Sequence, residues 1–385
     1  MDTEIEEMLK IAEACVGCRC GCCKDECPMY SEIIEESISP KGRNVLIRAV
    51  AKGVVEPDER VMRIAYSCLL CRRDEITCTA KLKNAAATEA FRKYLIDKKM
   101  PLLPMHQQLV KSLENYGNPW QEPKSARKRW ARELKDRRAV PGKTETLFYV
   151  GCTSALDRSL QDGPIALARL FDAAGEKFGL LLEDEVCCGS TAKRIGHSKL
   201  FDSMRKENEK RIRATGARRV VTACSGCLKT MRQDYPGMSD DIELLHSSEY
   251  LSKLVRSGKL AFRRMPLRVT YHDPCHLGRH AGIYDVPREL IKAVPGVELV
   301  EMRSSREKAR CCGGGAGVKT AYPEIALKAS VRRVKEAEAT GARTLITTCP
   351  FCMQTLREGA RSIGSDLKVI ELSVFLDSAL DRKVG

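Results

Sequence analysis

Residues 186–190 read VCCGS and residues 223–227 read ACSGC. A vicinal cysteine pair followed by a Cys-x-x-Cys occurs twice in the chain, and this repetition indicates the fold. The second copy reads RCCGGG at 310–315 and TCPFC at 348–352. One isolated cysteine precedes each copy, so that five cysteines recur in the same order, at 152, 187, 188, 224 and 227 and again at 275, 311, 312, 349 and 352. The repeats account for every cysteine beyond residue 100, which indicates an internal duplication.

The cysteines of both copies follow segments that have the composition of buried strands. In each copy one β-branched run ends near the isolated cysteine and another ends before the Cys-x-x-Cys; these runs are 146–150, 219–222, 267–271 and 344–347. Helical patterns at 199–215 and 324–340 lie between them. Alternating strands and helices predict two Rossmann-like α/β domains with parallel sheets, in which ligands collect at the carboxyl ends of the strands.

Residues 1–100 have a different pattern, with short predicted helices at 4–14, 42–51, 57–65 and 85–96 around two cysteine arrays. We expect a helical ferredoxin-like domain here, followed by a basic linker at 101–144 and α/β domains at 145–262 and 263–385. Within the linker, residues 124–138 carry eight basic side chains against Glu133 and Asp136. A solvated linker helix is favoured there over a docking surface for an acidic partner or membrane headgroups.

Nineteen cysteines in 385 residues, grouped as Cys-x-x-Cys and Cys-Cys, point to metal binding. A disulfide framework is typical of small secreted domains, and the acidic N-terminal segment lacks an apolar signal region, so we expect reduced thiols in the cytoplasm. No apolar run is long enough to span a membrane. The net charge of +15 comes with only 5% aromatic residues and no reading motif, which argues against nucleic-acid binding.

In the first N-terminal array, Cys20, Cys23 and Cys27 with Pro28 match the end of the ferredoxin run C-x2-C-x2-C-x3-C-P. Glycine occupies the position of the first ligand, at residue 17. Either Cys18 serves instead, or Cys15 and Cys18 form the opening pair with an insertion before Cys23. Cys22 is spare in both alignments.

The second array has the required spacing, but aspartate replaces its third cysteine; its members are Cys68, Cys71, Asp74 and Cys78. A carboxylate binds iron less covalently than a thiolate, so Asp74 would give a labile iron or an altered potential. The alternative is that Asp74 is a surface residue and the second cluster is three-iron or absent.

Each repeat supplies five thiolates, one more than a tetrahedral zinc ion or an ordinary cubane uses. A four-thiolate zinc site would leave Cys152 and Cys275 repeated without purpose. The glycines beside the vicinal pairs, Gly189, Gly313 and Gly314, allow the backbone to approach a cofactor and point N–H groups at it. The glycine run at 313–317 does not have the order of a P-loop, and no complete G-x-G-x-x-G motif is present.

These repeats resemble the twin CCG domains of the heterodisulfide reductase family, and with the helical segment in front of them the layout resembles that family's catalytic subunit. The resemblance extends to Ser39-Pro40-Lys41-Gly42-Arg43 and to Asp273-Pro274-Cys275-His276-Leu277-Gly278. It implies up to two ferredoxin-type [4Fe-4S] clusters and two non-cubane [4Fe-4S] clusters, one held by each set of five cysteines.

The resemblance also implies a function in which electrons pass from the ferredoxin-type clusters to the non-cubane clusters. There a disulfide of the coenzyme M–coenzyme B type would be reduced to two thiols at Cys187, Cys188, Cys311 and Cys312. His276 would donate a proton to a product thiolate. The alternative is an electron relay within a benzoyl-CoA reductase or a glycerol-3-phosphate, lactate or glycolate dehydrogenase.

The sequence contains neither a flavin motif nor a membrane span. Both functions need a source of electrons, so we expect an electron-donor partner. That partner would be a flavoprotein, a cytochrome b subunit or a ferredoxin-linked complex, and it would hold this cytoplasmic chain at the inner face of the membrane if it were itself membrane-bound.

Overall fold

The computed structural model describes residues 3–18, 20–134 and 144–381. Its first part is helical, and the helices begin where the sequence supplies caps. Pro28, Pro40 and Pro104 occupy first turns, where a missing N–H group costs nothing. The helices are α1 (Thr3–Gly17), α2 (Cys23–Glu26), α3 (Pro28–Ile33), α4 (Pro40–Ala51), α5 (Glu59–Tyr66), α6 (Arg73–Ile76), α7 (Asn84–Asp97) and α8 (Pro104–Tyr116). All four helices predicted before residue 100 are present.

The first repeat is a parallel three-stranded sheet with strand order β1-β2-β3. Its strands are β1 (Thr146–Phe148), β2 (Arg219–Thr222) and β3 (Glu243–His246). Its helices are α9 (Cys152–Leu156), α10 (Asp162–Ala173), α11 (Ser190–Arg194), α12 (Ser198–Ala214), α13 (Ser225–Asp234), α14 (Met238–Asp241) and α15 (Ser247–Arg256).

The second repeat is a parallel four-stranded sheet with strand order β5-β4-β6-β7. Its strands are β4 (Leu267–His272), β5 (Val297–Leu299), β6 (Thr344–Thr347) and β7 (Lys368–Glu371). Its helices are α16 (Asp285–Lys292), α17 (Val318–Ala321), α18 (Pro323–Glu338), α19 (Pro350–Ser362) and α20 (Leu372–Ala379). The predicted parallel α/β architecture and its duplication are confirmed.

The extra strand of the second repeat has a remnant in the first. Val269 of β4 pairs with Leu299 of β5, and at the equivalent place in the first repeat Leu147 makes a single parallel bridge to Gly179. The two sheets therefore have the same plan, and one edge is shortened in the first copy.

The two repeats share one hydrophobic core. Phe148 and Val221 of the first sheet belong to the same cluster of buried side chains as Val269 and Ile346 of the second. The Ser225 hydroxyl at the start of α13 donates to the Thr348 carbonyl at the end of β6, at 3.0 Å. The carboxyl ends of the central strands, where both Cys-x-x-Cys turns lie, are therefore held against each other.

Arg92 of α7 joins the helical part to both repeats. Its guanidinium is fully buried and donates four hydrogen bonds to backbone carbonyls, two within the helical part and one in each repeat. The acceptors are Ala65 at 2.9 Å, Cys68 at 2.6 Å, Arg194 at 2.8 Å and Ala316 at 2.9 Å. The predicted boundaries at residues 100, 144 and 262 stay predictions, and the parts that they separate pack closely together.

The segment predicted as a basic linker has structure of its own. It contains α8 and two short 3₁₀ turns, Lys124–Lys128 and Trp130–Glu133, in place of a solvated helix. Arg127 and Trp130 are buried, since Arg127 forms an ion pair with Glu185 and Trp130 packs edge-on against Phe148. Residues 135–138, which carry three of the eight basic side chains, lie outside the described residues.

Candidate metal centres

The first repeat gathers its five cysteines at the carboxyl ends of β1 and β2. Gly151, with φ of +82°, turns the chain so that Cys152 begins α9, while Cys224 and Cys227 lie at the start of α13. The Sγ atoms of Cys152 and Cys187 are 3.7 Å apart. Cys188 is hydrogen-bonded to Cys187 and to Cys227, which closes the group.

The second repeat builds the same group from β4 and β6. Cys311 is hydrogen-bonded to Cys275 and Cys312, and Cys352 is hydrogen-bonded to Cys312 and Cys349. We call the two groups the first pentad (Cys152, Cys187, Cys188, Cys224, Cys227) and the second pentad (Cys275, Cys311, Cys312, Cys349, Cys352). All nineteen cysteines are free thiols, as ligands must be and as a disulfide framework would not allow.

Crowding of the thiols spreads their pKa values in both directions. Hydrogen bonds from Cys187 and Cys227 lower the pKa of Cys188 to about 6. Hydrogen bonds from Cys311 and Cys352 likewise lower the pKa of Cys312. The pKa of Cys152 is raised, first by its hydrogen bond to Cys187 and then by burial. Hydrogen bonds from Cys224 and Cys352 also lower the pKa of Cys349. Thiolate therefore forms readily at one position of the first pentad and at two of the second, and metal must displace the remaining protons.

The donor set fits a multinuclear iron–sulfur centre better than a single metal ion. Two thiolates on one tetrahedral metal with bonds of about 2.3 Å lie roughly 3.7 Å apart, and Cys152 and Cys187 show this separation. In a cubane each iron takes one thiolate of its own. Five converging soft donors also exceed the four that zinc takes.

The two pentads face each other. The side chains of Cys224 and Cys349 are hydrogen-bonded, so the Cys-x-x-Cys turns of the two repeats touch. A cavity of about 410 Å³ opens beside this contact, and all ten pentad cysteines line it. The docking of two homologous strand ends therefore creates one shared space.

Some walls of this cavity come from segments that the sequence did not single out. Met105 and Leu109 of α8, followed by Pro119 and Trp120, form an apolar side of the cavity. The spacing of the apolar residues of α8 after Pro104 was the available signal. Lys319 also lines the cavity, with its amine bonded to Gln354 at 2.9 Å and Glu358 at 2.8 Å.

The predicted cofactor-binding glycines are required by the helices packed behind the loops. A Cβ atom on Gly313, whose φ is +91°, would lie 2.4 Å from the Ala326 carbonyl oxygen, and one on Gly189 would lie 2.8 Å from the Phe201 ring. On Gly314 it would lie 2.6 Å from the Thr355 hydroxyl. Two glycines that the sequence analysis did not predict lie beside thiol sulfur. A Cβ atom on Gly151 would lie 3.5 Å from Cys227 Sγ, and one on Gly226 would lie 3.7 Å from Cys224 Sγ.

His276 lies in the cavity wall, and its role as a proton donor stays a prediction. Burial lowers the pKa of His276 to about 3. A neutral imidazole can offer an N–H hydrogen bond to a bound sulfur group. Its ring packs edge-on against His280, which bonds to the Leu70 carbonyl at 3.0 Å.

The first N-terminal array forms one group together with Cys78. Cys15 lies near Cys18 and Cys78, and Cys23 lies near Cys15. The Sγ atoms of Cys18 and Cys20 are 3.2 Å apart. This group offers five thiols to a cubane that takes four, and Cys15 and Cys23 form its buried side.

Cys20 and Cys22 lie on the solvent-facing side of this group. The Cys20 Sγ is 3.4 Å from the Thr79 hydroxyl, and hydrogen bonds from Thr79 and Cys18 lower the pKa of Cys20 to about 7. Cys22 is exposed, and its assignment as the spare cysteine stays a prediction.

The second N-terminal array gathers Cys68, Cys71 and Asp74 with Cys27. Asp74 is only 7% exposed, so it is not the surface residue that the alternative required. Its Oδ2 accepts from Asn84 at 2.9 Å, and Asn84 accepts from Asn44 at 2.9 Å. The carboxylate is near Cys27 and Cys71, and its role as the fourth ligand stays a prediction.

A thiol contact links this array to the second pentad. Cys71 is hydrogen-bonded to Cys311, and Arg279 donates to the Cys71 carbonyl at 2.6 Å. The cysteines therefore form a continuous series from the N-terminal arrays through Cys71 and Cys311 to the second pentad, and through Cys349 and Cys224 to the first.

Comparison with known proteins agrees with this arrangement. The CCG cysteine-rich domain model matches residues 146–232 and 269–357. A subunit of the dihydromethanophenazine:CoB–CoM heterodisulfide reductase of Methanosarcina mazei is 30% identical, over 99% of this chain and 97% of that protein. The probable iron-sulfur-binding oxidoreductase FadF of Bacillus subtilis is 31% identical, over 83% of this chain and 47% of that protein.

A solved structure of a hypothetical protein from Helicobacter pylori shares the fold, with a TM-score of 0.62 and 9% identity, over 92% of this chain and 73% of that one. Two CCG domains behind a helical cysteine-rich segment define an iron–sulfur oxidoreductase. The chain belongs to the heterodisulfide reductase family, among its subunits with twin CCG domains. Among the residues that the structure describes, no helix is long and apolar enough to cross a membrane.

Proposed function

We propose that this chain receives electrons at its N-terminal arrays and delivers them to the two pentads, where a disulfide in the shared cavity is reduced to two thiols. The cavity lined by all ten pentad cysteines is the observation that carries this proposal. The reaction consumes two electrons and two protons for each disulfide cleaved. Similarity to a subunit of the CoB–CoM heterodisulfide reductases makes a disulfide of the coenzyme M–coenzyme B type the first substrate to test.

The protein would hold a [4Fe-4S] non-cubane cluster with each pentad, and two ferredoxin-type clusters with the N-terminal arrays. When bound, these clusters supply steps of one electron each. The chain's own side chains form the apolar wall at Met105 and Trp120 and place the neutral His276 N–H beside the thiols. The two cations in the wall, Arg194 and Lys319, are already paired with carboxylates.

A relay without disulfide chemistry is the second candidate. It is supported by the Cys224–Cys349 contact, which continues the series of thiols from one pentad to the other. It is also supported by similarity to the EtfAB:quinone oxidoreductase of Syntrophomonas wolfei, at 27% identity over 93% of this chain and 51% of that protein. In both cases the partner is an electron-donor subunit, namely a flavoprotein, a cytochrome b or a ferredoxin-linked complex.

A turnover assay of the anaerobically purified chain distinguishes the disulfide reductase from the electron relay. Reduced viologen supplies electrons, and the coenzyme M–coenzyme B disulfide is compared with an uncharged disulfide such as that of 2-mercaptoethanol. We expect disulfide-dependent oxidation of viologen that is lost in C312A and kept in C22A, which removes an exposed cysteine outside the pentads. Absence of turnover with either disulfide, in protein whose clusters are intact by spectroscopy, would favour the relay over the reductase.

Metal analysis of the same preparation separates both functions from a structural zinc protein. We expect iron and acid-labile sulfide in comparable amounts and a brown chromophore. A colourless protein that contains zinc would overturn the proposal.

A further inference from the structure

His272 ends β4 three residues before Cys275, and the equivalent position in the first repeat, three residues before Cys152, is Tyr149. Both side chains are buried beside their pentads. The two repeats thus differ in the polar group that each places behind its cysteines, and the difference has a chemical consequence.

The tautomer of His272 is fixed by Arg333 of α18. The Nε atom of this fully buried arginine donates to His272 Nδ1 at 3.1 Å. A guanidinium group can only donate, so Nδ1 is the acceptor and the hydrogen of the neutral ring is on Nε2. Arg333 is held in place by the Ser304 carbonyl at 2.8 Å and the Glu336 carboxylate at 2.8 Å.

His272 Nε2 is buried and bonds to no nitrogen or oxygen atom among the described residues, and the thiol of Cys312 is the neighbour with which the side chain interacts. A ring nitrogen of His272 and the Sγ atoms of Cys312 and Cys352 lie within 4.8 Å of one another. These three residues have the composition of a metal site, but Nε2 carries a hydrogen and therefore has no lone pair for a metal. A desolvated N–H donor gains most from a negatively charged acceptor, and a thiolate supplies one.

At the position equivalent to His272 the first pentad has no such donor; its side-chain donor to sulfur is Thr153, which bonds to Cys152 and not to a vicinal cysteine. The Tyr149 hydroxyl donates to the Val186 carbonyl at 2.5 Å, and the Tyr235 hydroxyl donates to the Cys188 carbonyl at 3.0 Å. Asn208 donates to the Cys187 carbonyl at 2.7 Å. These three groups therefore bond to the backbone carbonyls of residues 186–188 and not to the sulfur atoms of the vicinal cysteines.

We propose that His272 is a positioning residue that donates an Nε2–H hydrogen bond to the sulfur of Cys312 and makes the second-pentad cluster the more easily reduced of the two. Hydrogen bonds to cluster sulfurs stabilise the extra negative charge of the reduced state and raise the potential. The second pentad is also the one that Cys71 contacts, so the first acceptor in the series is the better one. This inference rests on the clusters of the proposed function and holds for reductase and relay alike.

Redox titration of the full chain, followed by electron paramagnetic resonance, tests the proposal. In H272F we expect the reduction equilibrium of one cluster to shift about tenfold toward the oxidised form, about 59 mV for one electron. H272Q, whose amide can donate from the same place, should restore most of the shift. Y149F, which removes a hydroxyl bound to a carbonyl, should leave both potentials unchanged. Equal potentials in wild type and H272F, at equal iron content, would overturn the proposal.

A second measurement does not require the phenylalanine variant to fold. In wild-type protein labelled with ¹⁵N-histidine, pulsed electron paramagnetic resonance should show a weak nitrogen coupling to the reduced cluster, and H272Q should lack it. A coupling as strong as that of a direct iron–nitrogen bond would make His272 a ligand and refute the hydrogen bond. Absence of any coupling that depends on His272 would refute it as well. Neither result depends on disulfide turnover.

Discussion

Arg127 and Glu185 form an ion pair of 2.9 Å whose side chains are only 2% and 3% exposed. The Glu185 carboxylate also accepts from the backbone N–H groups of Val150 and Gly151, at 2.8 and 2.9 Å. Glu185 precedes the vicinal cysteines, and Gly151 precedes Cys152. One arginine from the segment predicted to be a linker therefore fixes the two loops that carry three cysteines of the first pentad.

Replacement of Arg127 should damage the first pentad selectively. Removing one partner of a buried ion pair leaves an uncompensated charge and costs about 3–5 kcal/mol. We expect R127M to lower the free energy of unfolding by that amount and to lose iron. The control is R129M, because the half-exposed pair of Arg129 with Glu122 should contribute no more than about 1 kcal/mol. Equal losses in chemical denaturation would contradict the prediction.

Glu371 at the end of β7 should make stability depend on pH. Burial raises the pKa of Glu371 from 4.5 to about 7, although its carboxylate accepts from Ser373 N–H at 2.7 Å. Between these two values the folded chain keeps a proton that the unfolded chain releases. The contribution of Glu371 to stability is therefore full below pH 4.5 and is lost as the pH rises to 7.

Glu371→Gln removes this titration while keeping an oxygen acceptor for Ser373. We expect the wild type to lose up to about 3 kcal/mol relative to E371Q between pH 5 and pH 8. Denaturation at several pH values under anaerobic conditions measures the difference. Parallel stability curves for the two proteins would show that Glu371 does not titrate in this range.

Cys15 should matter to the first N-terminal cluster, and Cys22 should not. Cys15 is buried beside Cys78 and near Cys18, whereas Cys22 is exposed. We expect C15S to lose a ferredoxin-type signal in electron paramagnetic resonance and about four irons per chain, the content of one cubane. C22S should keep both. An intact signal in C15S would assign the ligands to Cys18 and Cys20.

Asp74 should hold one iron of the second N-terminal cluster. Its buried carboxylate lies near Cys27 and Cys71 and is oriented by Asn84. We expect D74A to convert this cluster to a three-iron form with its characteristic signal, because a cubane that lacks one ligand loses that iron most readily. D74C should restore four irons and shift the potential. Identical spectra for wild type and D74A would show that Asp74 is not a ligand.

The local pattern of the sequence predicted a large part of the fold. The strand predictions at 219–222 and 344–347 coincide with β2 and β6, since β-branched runs followed by a Cys-x-x-Cys leave little choice of boundary. The edge strands β3, β5 and β7 were not predicted. Val297–Leu299 is too short to give a period of two, and only its pairing with β4 makes it a strand.

The membership of each pentad followed from the duplication, but the contacts between sites did not. The contacts of Cys71 with Cys311 and of Cys224 with Cys349 join residues far apart in sequence. They depend on how whole sheets and helices dock, which no local pattern encodes. The cavity wall at Met105 and Trp120 was not predicted for a related reason, because these residues reach the pentads only through the docking of the helical part against both repeats.

The four carbonyl contacts of Arg92 have a consequence for the connectivity of the chain. They tie the helical part to both repeats through space, so the peptide link between α8 and β1 is not what keeps the parts in register. We expect a protease that cut the backbone there to leave two fragments that stay associated. The distances between the cysteine sites would then survive cleavage of the chain.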